Sequence, residues 1–210
     1  MGDGMTDLSS SASPRTPLAE YRRDALAPVV AVGSLVGVMW VSEAVDTVVN
    51  HHLDRFGVQP RTLVGLRGIA FAPFLHVGWR HLTGNTVPFV ILGVLIALGS
   101  LAKFLEASLI IGLCSGIGIW LFGASNSVHL GASGIVFGYL GYLLSRGFFD
   151  RRFGQIVLGV IVGAVYGGLI WGVLPTNSGV SWQGHLFGFL GGIAAAWILR
   201  RQREPPNSIH

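Results

Sequence analysis

Charge is what this sequence has least of. Asp, Glu, Lys and Arg make up 11% of its 210 residues, against ~25% in ordinary soluble domains. An ordinary soluble domain is therefore excluded. Cysteine is nearly absent: Cys114 stands alone in an apolar run, which rules out an intrachain disulfide and a thiolate metal centre. Lysine is nearly absent too, with Lys103 the one example among 14 basic residues. An Arg-, Ala- and Gly-rich chain of this kind points to a GC-rich bacterial genome.

What is present is apolar and small. Hydrophobic residues make up 51% of the chain and glycine contributes 31 positions, with a mean hydropathy of +0.61. Glycine at that frequency would weaken soluble helices, but in membrane bundles small residues let helix backbones approach closely. The expected class is an all-α polytopic membrane protein of one domain. The net charge of +4 reads as topology information, with no nucleic-acid partner expected.

Residues 1–23 are rich in Ser, Pro, Thr and charge and read as a disordered tail. A first span is expected at 25–41. A long mixed segment, 43–80, is too polar to cross a bilayer, although its apolar pieces suit the interface. Five more spans are expected at 81–101, 107–122, 133–149, 155–173 and 182–199, with a turn at Lys103 and Glu106. The membrane domain then covers 24–200, and 201–210 is a second tail.

Six spans put both termini on one side. That side holds Arg15, Arg22, Arg23, Lys103, Arg146, Arg151, Arg152, Arg200, Arg201 and Arg203, whereas the other holds Arg55, Arg61, Arg67 and Arg80. The positive-inside rule places both termini in the cytoplasm, in a bacterial plasma membrane.

The fourth span poses a problem of length. From Ser133 to Phe149 it has 17 residues, which cover about 25 Å of a hydrocarbon core roughly 30 Å thick. A helix that short has to begin inside the protein, which recesses Ser133 below the surface. The polar stretch before it, 123–131, is tolerable at that depth only where protein buries it or a wet cavity receives it.

Ionisable groups are scarce within the spans, so His81 and His185 stand out. Both enter from the side on which Ser133 lies. Ser133 and His185 can act as nucleophile and general base, with no acid in the neighbouring spans to complete a triad. His81 and Asn85, four apart on one helix face, suit two donors to an oxyanion; bonding between helices is an equal alternative for Asn85. Gly184, Gly188 and Gly192 form a small-residue face beside His185, matched by Gly134, Gly138 and Gly141 on the fourth span. His51, His52 and His76 read as solvated or loop-packing residues, because no acidic or cysteine partner shares their spacing.

These residues resemble the rhomboid intramembrane serine proteases. The Gly-x-Ser-Gly at Gly131–Gly134, the His-x-x-x-Asn at His81 and Asn85, and the small-His-x-x-Gly-x-x-x-Gly at Gly184–Gly192 match the family's motifs in order. The resemblance covers roughly 81–199. It implies a six-helix core, Ser133 as nucleophile, His185 as base, and His81 and Asn85 at the oxyanion. It also implies cleavage of transmembrane protein substrates near their extracytoplasmic boundary, with no metal or cofactor.

Two departures stand out. Many members carry a Trp-Arg pair early in the first loop, where this chain has Leu66-Arg67, while Trp79-Arg80 abuts His81. The residue one turn after the nucleophile, often Tyr, is Phe137. Two rival readings are a catalytically silent rhomboid-like protein that binds or escorts membrane proteins, and a small transporter. The silent kind normally lacks the Ser or the His, and a transporter is disfavoured by the absence of an inverted repeat.

Overall fold

The computed structural model describes residues 17–175 and 180–200, and among these every regular element is helical. Six helices carry the architecture: α1 (Pro17–Val48), α2 (Trp79–Gly99), α3 (Leu101–Phe122), α4 (Ser133–Asp150), α5 (Phe153–Tyr166) and α6 (Trp182–Ile198). A 3-10 helix, Gly167–Val173, continues α5. Four stretches are long and apolar enough to cross a membrane: Ala25–Val48, Trp79–Gly99, Leu101–Phe122 and Phe153–Val173. The other two long helices are shorter or more polar: α6 has 17 residues, and α4 has 18 and ends in Arg146 and Asp150.

α4 is the centre of the bundle. Every residue from Val136 to Leu143 is buried, whereas α5 leaves Ile156, Val160, Ile161 and Val165 exposed. An apolar residue on an outer helix face is what a lipid-facing helix requires. α4 and α6 pack backbone to backbone. A methyl group on Gly188 would sit on the Gly134 carbonyl oxygen, and one on Gly192 on the Gly138 carbonyl oxygen. Small residues at these steps are the condition for that approach.

The ends of the bundle are tied crosswise. At one end Lys103 donates through Nζ to the Leu199 carbonyl, and Gly99 lies against the Arg146 guanidinium. At the other, Gln183 Nε2 donates to the Phe122 carbonyl at 3.2 Å. The 49–78 connection folds over this second end as short helical turns, and Arg61 reaches the Leu121 carbonyl at 2.9 Å.

The irregular stretch before α4 is held by that connection. Val58 and His129 exchange two backbone hydrogen bonds of 3.0 Å, and the Gly131 amide donates to the Ala72 carbonyl at 2.9 Å. Non-helical backbone ahead of Ser133 is thus satisfied by protein.

Three expectations are corrected. The first apolar helix does not stop at Val41 but runs to Val48. Its polar residues Glu43 and Asp46 share a face turned inward, both buried, while Val41, Val45 and Val48 face outward. Lys103 and Glu106 are not a turn but the first turns of α3; the chain reverses at Ser100, whose side chain accepts from the Lys103 amide at 3.3 Å. Residues 17–23, expected in a disordered tail, begin α1. The expected tails at 1–16 and 201–210 lie outside the described residues.

Candidate active site

Ser133 is the first residue of α4, and Gly131 two residues before it has φ +111°. That left-handed conformation strains any residue with a Cβ, so glycine lets the chain turn sharply into the helix. His185 lies one turn into α6, buried at 7% exposure. Its Nε2 stands 2.8 Å from Ser133 Oγ. The close α4–α6 approach sets this distance, and the 2.9 Å bond from Ser115 Oγ to the Gly184 carbonyl adds an α3 anchor beside it.

The remaining ring nitrogen fixes the tautomer. His185 Nδ1 is 2.8 Å from the Gly172 carbonyl, which can only accept, so Nδ1 carries the proton. Nε2 is then the lone-pair nitrogen, and Ser133 donates to it. The place that a carboxylate takes in a triad is filled by a backbone carbonyl. Phe137 stacks on the imidazole, with ring centroids 4.0 Å apart and planes 7° apart, so the ring is held on its face as well as its edge.

His81 is fixed by the same logic. Its Nδ1 accepts from the Val77 amide at 3.4 Å, which leaves Nε2 as the protonated, donating nitrogen. Asn85 gives one amide hydrogen to the His81 carbonyl at 3.1 Å and keeps the other. A methyl group on Gly131 would lie 2.9 Å from His81 Nε2 and 3.6 Å from Asn85 Nδ2. Two donors therefore converge on the small space beside the serine. Gly131→Ala fills that space and strains the turn; it is expected to lower kcat about 100-fold, read from initial rates with a helical-content control.

A cavity of about 760 Å³ opens on these groups, lined among others by His81, Asn85, Ser133, Phe137, His185 and Trp182. Of the glycines named from sequence, Gly131 and Gly134 lie at the serine, and Gly184, Gly188 and Gly192 line the α6 face packed on α4.

Sequence reasoning missed three contributors. His76, expected to be solvated or loop-packing, is buried and receives the Ala132 amide on Nε2 at 3.4 Å, beside Ser133. His129, four residues before Ser133, bridges Ser127 and Ser181 at 2.8 and 2.9 Å and lines the cavity. Its spacing from Ser133 was the available signal. The Gly172 carbonyl has no side-chain signature.

Burial pushes His76 down to about 4, with His81 adding to the effect, and burial lowers His129 as well. His76 must be neutral to accept from Ala132. The unfolded chain takes up a proton near pH 6.5 that folded His76 refuses until about 4. Stability from His76 is full above pH 6.5 and falls as pH drops toward 4, by about 3 kcal/mol in total. Thermal midpoints in detergent between pH 7.5 and 4.5 should show this fall, reduced in His76→Gln. Equal slopes for both proteins would contradict it.

An all-helical membrane protein with a hydrogen-bonded serine–histidine pair facing a cavity is the class these features define. The chain belongs to the rhomboid family: the rhomboid domain model matches residues 65–202. It is similar to an uncharacterized protein of Mycobacterium tuberculosis, 40% identical over 199 residues that cover 89% of this chain and 82% of the relative. An uncharacterized Mycobacterium leprae protein is 39% identical over 178 residues, covering 81% and 70%. A Bacillus subtilis protein named "Putative rhomboid protease YdcA" is 29% identical over 132 residues, covering 62% and 65%.

Proposed function

We propose that this protein is an intramembrane serine endopeptidase that hydrolyses peptide bonds in or near transmembrane segments of membrane proteins. The observation that carries the reading is the 2.8 Å Ser133–His185 bond, with the imidazole held in the base-competent tautomer by the Gly172 carbonyl. In this reading α4 and α6 complete a six-span bundle within 24–200, both termini are cytoplasmic, and the cavity opens to the extracytoplasmic side.

Ser133 Oγ attacks the scissile carbonyl while His185 Nε2 takes its proton. The oxyanion forms in the space beside Gly131, where His81 Nε2–H, the free Asn85 amide hydrogen and backbone amides at the α4 N-terminus stabilise it. Each donor of this kind contributes ~3–4 kcal/mol to the transition state. His185 then gives the proton to the leaving amine, and water from the cavity hydrolyses the acyl-enzyme by the reverse use of the same base.

Purified protein in proteoliposomes with a fluorogenic transmembrane substrate tests the reading. Wild type should cleave and His185→Ala should not. Equal cleavage by both would remove His185 from the chemistry, and no cleavage by wild type across a substrate panel would favour a silent binding protein.

A further inference from the structure

At the end of α1, four ionisable side chains meet. Sequence spacing gave His51 no acidic partner, but the chain turns back at Asn50 and His51, both at positive φ (54° and 59°). His51 Nδ1 thereby comes to 3.1 Å from Asp46 Oδ2. Asp46 Oδ1 is occupied separately, accepting the Leu53 amide at 2.7 Å. Asp54 approaches from the next turn, and one ligand atom each from Asp46, His51 and Asp54 lies within 4.8 Å of the others.

A second observation points to a ligand. Glu43, one turn before Asp46 on the same face, is 1% exposed, and both its carboxylate oxygens are buried with no hydrogen-bond partner. The Gly78 amide lies near without completing a bond, and its charged neighbours are Asp46, His51 and Asp54. Asp54 Oδ1 is likewise buried and unpartnered. Among the described residues, no lysine or arginine pairs with any of these three acids. Removing carboxylates from water costs several kcal/mol each unless a counter-charge compensates, and half-exposed His51 is one cation at most.

We propose that Asp46, His51 and Asp54, with Glu43 behind them, bind a divalent first-row transition ion such as Zn²⁺ or Mn²⁺. Two ligands at ~2.1 Å from one tetrahedral ion stand about 3.4 Å apart, close to the His51–Asp46 separation. The imidazole selects against Ca²⁺ and Mg²⁺, which prefer all-oxygen sets. The Leu53 amide on the far oxygen of Asp46 orients that ligand. A bound ion would staple the end of α1 to the start of the 49–78 connection, whose later turns hold Ala132 and Gly131. The site departs from the expectation that no metal is bound, and it is independent of the protease reading.

The test uses full-length, tag-free protein in detergent, stripped by chelator and titrated with Zn²⁺ and Mn²⁺, with Ca²⁺ as control. About one equivalent should bind and raise the thermal midpoint. His51→Ala, at an exposed position, and Asp54→Asn should each weaken binding at least tenfold. His185→Ala should leave it unchanged. No uptake by wild type, uptake unaffected by His51→Ala and Asp54→Asn, or uptake lost only in His185→Ala would overturn the proposal. The first of these would mean that the carboxyls share protons instead.

Discussion

Ser133→Ala is expected to lower kcat on a transmembrane substrate by ~10⁴-fold or more, to the background set by binding alone. Ser133 is the donor to His185 Nε2, and no other hydroxyl makes that bond among the described residues. The side chain is only partly buried, so losing its hydroxyl should change stability by about 1 kcal/mol at most. Thermal melting beside the rate measurement separates lost chemistry from lost fold. A variant within tenfold of wild type would show that another group attacks.

Gly188→Ala is expected to produce a smaller but still large loss by a different route. The added methyl would land on the Gly134 carbonyl oxygen, and backbone cannot swing aside as a side chain can. α4 and α6 must part by about 1 Å, and displacements of that size cost ~100-fold in rate. Ser133 adjoins Gly134, and His185 stands three residues before Gly188, so the separation falls on the 2.8 Å bond between them. Stability should fall on the order of 2 kcal/mol, the usual range for overpacking. Gly37→Ala is the control, because a methyl there meets nothing within 4 Å. That variant should keep full activity.

The same two helices show what the sequence made legible. Glycines four apart on α6 read directly as a close-packing face, because backbone contact demands small residues at helical steps. Ser133 and His185 were legible for a related reason: few polar side chains enter the spans, so each one is informative. The short fourth helix does begin inside the protein, where ties from Val58, Ala72 and His76 hold the backbone ahead of Ser133.

Other features were hidden because they are made by backbone or by rare turns. The Gly172 carbonyl that sets the His185 tautomer could be any residue's carbonyl. The His51–Asp46 pair depends on two consecutive non-glycine residues at positive φ, which no pattern in Val-Val-Asn-His-His announces. Polarity alone makes Glu43 and Asp46 the end of a span; what it leaves out is their spacing on a helix. That spacing turns both inward and leaves the valines to the lipid side.

The central claim is that Ser133 is a nucleophile activated by His185. Its most direct measurement is labelling of the membrane-reconstituted protein by a fluorophosphonate, with the modified residue located by mass spectrometry of the digested chain. The account predicts a single adduct on Ser133 in the wild type and none on that residue in His185→Ala. Labelling of Ser133 at the same rate without His185, or no adduct on Ser133 in the wild type, would contradict it.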